Sequence, residues 1–214
     1  MTRLALLLLA VATSPFAAPA AGATAADPQA LARKVQATYE RTRDLEARFK
    51  QTYTYAGFGR RQVSEGTLRV KKPGKMRWDY TSPAPKTIAV KGSRLVQLEP
   101  EENQAYVDDH FDATAMSAAV TFLLGKGDLA KEFDLSVDGA GALVLRPKAA
   151  DPRVESITLT VGEDGEVLAT RVVDGAGNAN ELRFEAVKRN QGIPDSAFEV
   201  KIPRGARRVG GAGK

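Results

Sequence analysis

The chain has 214 residues, with 31 Lys and Arg against 26 Asp and Glu and a formal net charge of +5. It holds no Cys and one His, which excludes disulfides, thiol nucleophiles and Cys/His metal sites; no Ser-His-Asp arrangement can be assembled around His110, which sits in the polar run Asp108-Asp109-His110 and reads as solvated. The basic excess is mild and both signs are interspersed, unlike the one-sided stripe of a nucleic-acid binder; it suits an anionic membrane surface or an acidic partner.

The N-terminus reads as a secretory signal. Arg3 is its positive start, Leu4–Ala12 its apolar core, and Ala23-Thr24-Ala25 its cleavage site. The apolar run is too short to cross a bilayer, and Pro15 and Pro19 disfavour an anchor helix. Cleavage is expected after Ala25, with Ala20 and Ala23 as alternatives, leaving a soluble periplasmic chain whose net charge falls from +5 to about +4. Without Cys at the cut the chain is not itself acylated. Residues 26–209 are expected to form one domain and 210–214 a flexible tail.

Asp27-Pro28 caps a helix expected over Asp27–Arg48, whose apolar stripe is Leu31, Val35, Thr38, Tyr39, Thr42 and Leu45. From Ala47 the period changes to two, with Phe49, Gln51 and Tyr53 on one side. Strands are then predicted at Gly66–Lys72, Lys75–Thr81, Thr87–Lys91, Arg94–Glu99 and Asn103–Val107, separated by Pro73-Gly74, Pro83-Ala84-Pro85, Gly92-Ser93 and Pro100-Glu101-Glu102. A second amphipathic helix is expected over Asp112–Leu124, with Met116, Val120, Leu123 and Leu124 on its apolar side and Gly125 and Gly127 ending it; Asp128–Lys131 suits one further turn. Strands resume at Phe133–Val137, Ala142–Pro147, Val154–Val161, Val167–Asp174, Asn180–Arg189 and Phe198–Ile202, with a hairpin turn at Gly162-Glu163-Asp164-Gly165. From Arg204 the chain is expected to fray.

These elements predict a mainly β fold with α. A single curved antiparallel sheet of about ten or eleven strands forms an open, incomplete barrel, its concave face covered by two or three helices. The acidic turns Glu99–Glu102 and Asp108-Asp109 read as solvated pairs, and the Gly-rich turns 139–141 and 175–177 lie between strands, where they cradle no phosphate. The residues therefore point to no enzyme, cofactor or metal.

The stretch Leu68–Pro83, LRVKKPGKMRWDYTSP, places Leu68, Val70, Met76, Trp78 and Tyr80 in one apolar row with Lys72 at its end. The same parity selects Ile157, Leu159, Leu182 and Phe184 on later strands. The row is either ordinary core or the wall of a cavity for acyl chains, with Leu123 and Leu124 as its lid. For Leu68, Val70, Ile157 and Leu159 both readings stand; Met76 and Trp78 favour the cavity.

The run EGTLRVKKPGKMRWDYTSP resembles the hairpin of the LolA-type periplasmic lipoprotein carriers, G-x-L-x-V-K-R-P followed by W and P. ARFKQ, VKGSRLVQLEPEENQ, TFLLGK, LVLRPKAADPRVESITLTVGEDGEV and VKRNQGIPDSAFEVKIPRGARRV resemble further segments of that family in the same order, from Leu31 to about Val209. The resemblance implies a non-enzymatic shuttle that shields the acyl chains of lipoproteins. It takes them from an inner-membrane ABC transporter and passes them to an outer-membrane receptor, and we expect it to act as a monomer without nucleic acid. It implies Met76, with Arg77 beside it, as a partner contact. It also implies a lid latch where the family carries Arg, a position held here by Lys72. Carriers of other lipids or acyl products, and lipoprotein-sensing modules of the same fold that deliver nothing, share the resemblance.

Overall fold

The computed structural model describes residues 26–112 and 128–210. Helix α1 (Pro28–Arg41) opens the domain, its first turn capped by Asp27, whose carboxylate accepts from Gln29 N at 2.9 Å. Strands β1 (Asp44–Thr54), β2 (Arg61–Lys71), β3 (Lys75–Ser82), β4 (Lys86–Lys91), β5 (Arg94–Glu99) and β6 (Gln104–Asp108) follow. A short helix, α2 (Leu129–Glu132), leads into β7 (Phe133–Val137), β8 (Leu143–Pro147), β9 (Ser156–Val161), β10 (Val167–Val173) and β11 (Ala179–Arg189). A one-turn 3-10 helix (Asp195–Phe198) and β12 (Arg207–Val209) complete the order.

Among the described residues these twelve strands form one sheet, ordered β12-β6-β5-β4-β3-β2-β1-β11-β10-β9-β8-β7. Its edges are β12 and β7, so it is open. Every neighbouring pair is antiparallel except β12, which runs parallel to β6. Flat, β3 and β8 would lie about 30 Å apart at the usual strand spacing. Yet Met76 and Trp78 from β3, Leu143 and Leu145 from β8, and Ala32, Val35 and Tyr39 from α1 belong to one buried cluster. The sheet therefore curls, and α1 sits against its inner face, touching α2, β7 and β8.

Four expectations are corrected. Helix α1 stops at Arg41, not Arg48: Thr42 turns extended, its hydroxyl donates to Thr38 O at 2.8 Å, and Leu45 lies in β1, paired with Val70 of β2. The cause lies far away in sequence, because the buried Asp44 carboxylate accepts from Gln191 N at 2.7 Å and Gly192 N at 3.0 Å and pins the start of β1. Strand β2 begins at Arg61, five residues before Gly66, since β1 offers it a continuous ladder up to Thr54. Phe198–Ile202 is not a strand. Its residues alternate in polarity but find no ladder; Phe198 ends the 3-10 helix buried, while the Ala197 and Glu199 carbonyls accept from Arg77. The expected fray holds β12, whose Arg207 N donates to Asn103 O at 2.8 Å; this adds the single parallel pairing and brings the count to twelve. The helix expected over Asp112–Leu124, with Leu123 and Leu124, lies outside the described residues but for its first position, Asp112, where no helix is assigned, as do residues 1–25 and 211–214.

Candidate functional site

The inner face is built by register. In the β2–β3 hairpin Leu68 lies opposite Trp78 and Val70 opposite Met76, and Gly66 faces Tyr80. Across the other edge of β2, β1 sets Leu45 beside Val70, Ala47 beside Leu68 and Phe49 beside Gly66. With period two in every strand, one apolar residue per rung faces inward on all three. Gly66 makes room for an aromatic group: a Cβ there would lie 2.9 Å from the Phe49 ring and 2.1 Å from Asp79 O. Phe49 meets Trp78 edge-on at 4.8 Å and Tyr80 at 5.1 Å, and Lys86 Nζ stands 4.7 Å above the Tyr80 ring.

The second half supplies the opposite wall. Leu143 pairs with Leu159 and Leu145 with Ile157, and all four are buried. Leu182 and Phe184 on β11 join the two walls; together with Tyr80 and Ile88 they pack on the cluster but stay partly exposed. The apolar face is thus closed beneath α1 and thins to a partly open margin beside it.

Two contacts hold α1 down. The buried Tyr39 phenol hydrogen-bonds the backbone of Val167, and burial pushes it up to about 12. The Thr38 hydroxyl donates to Asp164 O at 2.6 Å in the β9–β10 turn, where Gly165 passes so close that a Cβ would lie 2.5 Å from Lys34 O. At the helix C-terminus, Lys72 Nζ donates to Tyr39 O. Desolvation holds the Lys72 ammonium below the usual lysine range, with Glu40 opposing. A cation at this end of a helix meets the negative end of its dipole.

The outer face carries polar groups and the C-terminal strap. Arg77 points there, opposite in parity to Met76, and donates to Ala197 O at 3.1 Å and Glu199 O at 2.9 Å. Lys71 and Lys75 pair with Asp195, and Lys91 with Glu199. The partner contact expected at Met76 and Arg77 is therefore divided. Met76 is 1% exposed in the inner cluster, and Arg77 is engaged by the strap on the other side of the sheet.

The structure brings Leu68, Val70, Met76, Trp78, Tyr80, Ile157, Leu159, Leu182 and Phe184 to one face, with Lys72 at its margin. The parity of the hairpin and of the later strands does not single out Phe49, Leu45 and Ala47 on β1 or Leu143 and Leu145 on β8, which share the same cluster. Phe49 was visible in the alternation from Ala47 onward, but its place over Gly66 needed the register. Tyr39 was on the helical stripe, though nothing local announced that its carbonyl meets Lys72. Among the described residues no group of three or more His, Cys, Asp or Glu is arranged to hold a metal, and no helix is long and apolar enough to cross a membrane.

Residues 40–201 match the family model described as outer membrane lipoprotein carrier protein LolA. The chain belongs to the LolA family. It is 31% identical over 173 residues to a protein of Dechloromonas aromatica named outer-membrane lipoprotein carrier protein, covering 79% of this chain and 82% of that one. A protein of the same name from Alkalilimnicola ehrlichii is 30% identical over 201 residues, 94% of this chain and 91% of its own. An uncharacterized conserved protein from Thermus thermophilus, whose crystal structure is solved, superposes with a TM-score of 0.52 at 12% identity, covering 85% of this chain and 98% of that one; it attests the fold alone. In this LolA-family chain the family match begins at Glu40, so it takes in Lys72 and both walls but only the last two residues of α1.

Proposed function

We propose that this LolA-family chain is a periplasmic carrier of outer-membrane lipoproteins. It receives their acyl chains on the inner face of its sheet and releases them to an acceptor. The observation that carries the reading is the continuous apolar face shared by two halves of an open sheet, with α1 packed on it and Lys72 bonded to the end of that helix. Each methylene kept from water is worth about 0.8 kcal/mol, so a lipid anchor crosses an aqueous compartment only inside an apolar container. A cover held by a few polar contacts lets that container open.

In this reading acyl chains enter at the partly open margin of Tyr80, Leu182 and Phe184 and displace α1 from Leu68, Val70, Met76, Trp78, Ile157 and Leu159. Leu123 and Leu124 complete the lid, and Lys72 is its latch. Residues 1–25 are a signal peptide, 26–209 the carrier and 210–214 a tail. The donor is an inner-membrane ABC transporter, the acceptor an outer-membrane receptor, and the carrier works as a monomer without catalysing a reaction. Arg77 contributes to partner binding only if the strap lifts. Mass spectrometry of material co-purified from the periplasm tests the function: acylated lipoproteins or their peptides are expected. Free glycolipids or other acyl products in their place would reassign the cargo, and a protein that carries no acyl group and binds no fluorescent fatty-acyl probe would defeat the carrier reading.

A further inference from the structure

Phe58 is 92% exposed, far more than any other large apolar side chain among the described residues. It stands at the apex of the β1–β2 hairpin between Gly57 and Gly59, and Gly59 takes the left-handed conformation that the turn requires (φ 60°). The base of the turn is braced. Tyr55 N donates to Arg60 O at 2.9 Å, Ala56 N donates to Asn178 Oδ1 at 3.1 Å, and the Tyr53 and Tyr55 rings meet edge-on at 4.6 Å. On its β3 side the apex projects: β2 pairs with β3 only as far as Glu65–Ser82, whereas its pairing with β1 runs on to Arg61–Thr54, about 13 Å further at the usual rise per residue, and on the other side β11 accompanies β1 as far as Thr54–Ala179. Arg60 and Arg61 are exposed at its foot and make no ion pair among the described residues. The neighbouring Asp174 is occupied within its own turn by Ala176 N, Asn178 N and Asn178 Nδ2.

We infer that this hairpin tip is a membrane-contact finger for an anionic phospholipid surface. Phe58 enters the boundary between headgroups and acyl chains, Tyr55 lies at headgroup level, and Arg60 and Arg61 pair with lipid phosphates. Phe58 and the edge of Tyr55 on a narrow, braced turn offer too little area for a stable protein interface, which needs roughly 800 Å² from each partner. They do match the interfacial preference of aromatic rings beside basic residues. The finger would bring the margin of the apolar face up to a bilayer. It is a property of the empty protein and does not require the carrier reading to hold.

The test uses the full mature chain without cargo and vesicles of phosphatidylcholine with or without phosphatidylglycerol. Flotation with the anionic vesicles is expected, falling as salt is added. Each basic side chain near such a surface is worth about 1 kcal/mol, or about 5-fold, so Arg60→Gln with Arg61→Gln should weaken binding by at least about 10-fold. Phe58→Ser should weaken it by about 5-fold or more, leaving the thermal midpoint and fatty-acyl probe binding unchanged. A Phe58→Trp protein should gain a blue-shifted emission that brominated phospholipid quenches. The inference is overturned if the parent does not float, if the variants float as the parent does, or if the tip matters only when the vesicles also hold a protein acceptor.

Discussion

Lys72 occupies the point where an apolar row runs out, one residue past β2, and its ammonium reaches the Tyr39 carbonyl at the end of α1. A cation there contributes about 0.3–1 kcal/mol, small against the 5–15 kcal/mol that holds a domain together. Lys72→Leu should therefore move the thermal midpoint by no more than about 4 °C while speeding transfer of bound lipoprotein to acceptor membranes. Lys72→Arg, with a planar fork of donors in place of one flexible ammonium, should slow transfer. An unchanged transfer rate in both would reduce Lys72 to a solvated charge. Tyr39 makes a pH-dependent prediction. Its phenol titrates near 10 in the unfolded chain and at about 12 in the buried site. The folded state thus keeps the proton longer, and the stability this provides is complete below pH 10 and is lost as pH rises from 10 through 12, on the order of 2–3 kcal/mol. Urea unfolding at pH 9 and pH 12 should show a larger loss in the parent than in Tyr39→Phe, which keeps the raised Tyr53 and Tyr80 phenols; equal losses would place the titration elsewhere.

Among the described elements, α1 packs on the inner face, and it rests on the β9–β10 turn. Gly165 there adopts φ 83°, and an added Cβ would meet Lys34 O at 2.5 Å and Thr38 Oγ1 at 2.7 Å. Gly165→Ala combines backbone strain with overpacking, each about 1–3 kcal/mol. It should lower the thermal midpoint by roughly 5–15 °C. Because the clash is with Lys34 and Thr38 of α1, the variant should also bind a fatty-acyl probe faster, followed through Trp78 emission. Slower binding, or none, would mean that α1 does not cover the site.

For the molecule as a whole, the C-terminal strap is what completes the sheet. It crosses the outer face through the Asp195 and Glu199 ion pairs and the Arg77 bonds, buries Phe198 and ends by pairing β12 with β6. Individually those surface pairs are worth little; the strap's larger effect is to cover a strand edge that would otherwise offer free N–H and C=O groups to another chain. A chain ending at Ile202 should keep the inner core and self-associate with rising concentration, as light scattering would report. A truncated protein that scatters as the parent does at every concentration would show that β6 needs no cover.

Elements governed by local chemistry are legible in the residues alone. Asp27-Pro28 starts a helix, alternation in Leu68–Lys72 and Lys75–Tyr80 makes a two-faced hairpin across Pro73-Gly74, and Phe133–Val137 is a strand with the bounds read from its pattern. The inner row and the odd lysine at its end followed from parity, because side chains alternate whatever the partner strand is. Other features depend on partners distant in the chain. The 42–48 segment suits a helix stripe or a strand equally well, until Asp44 captures the amides of Gln191 and Gly192. The alternation at Phe198–Ile202 promises a strand, yet a strand exists only where a neighbour supplies its ladder, and here Arg77 takes the carbonyls instead. Residues 207–209 look frayed in isolation and are ordered by β6, about a hundred positions away. Whether Met76 faces a partner or the core is likewise a matter of which side of a curled sheet α1 covers, and that is set by packing between elements that local sequence does not encode.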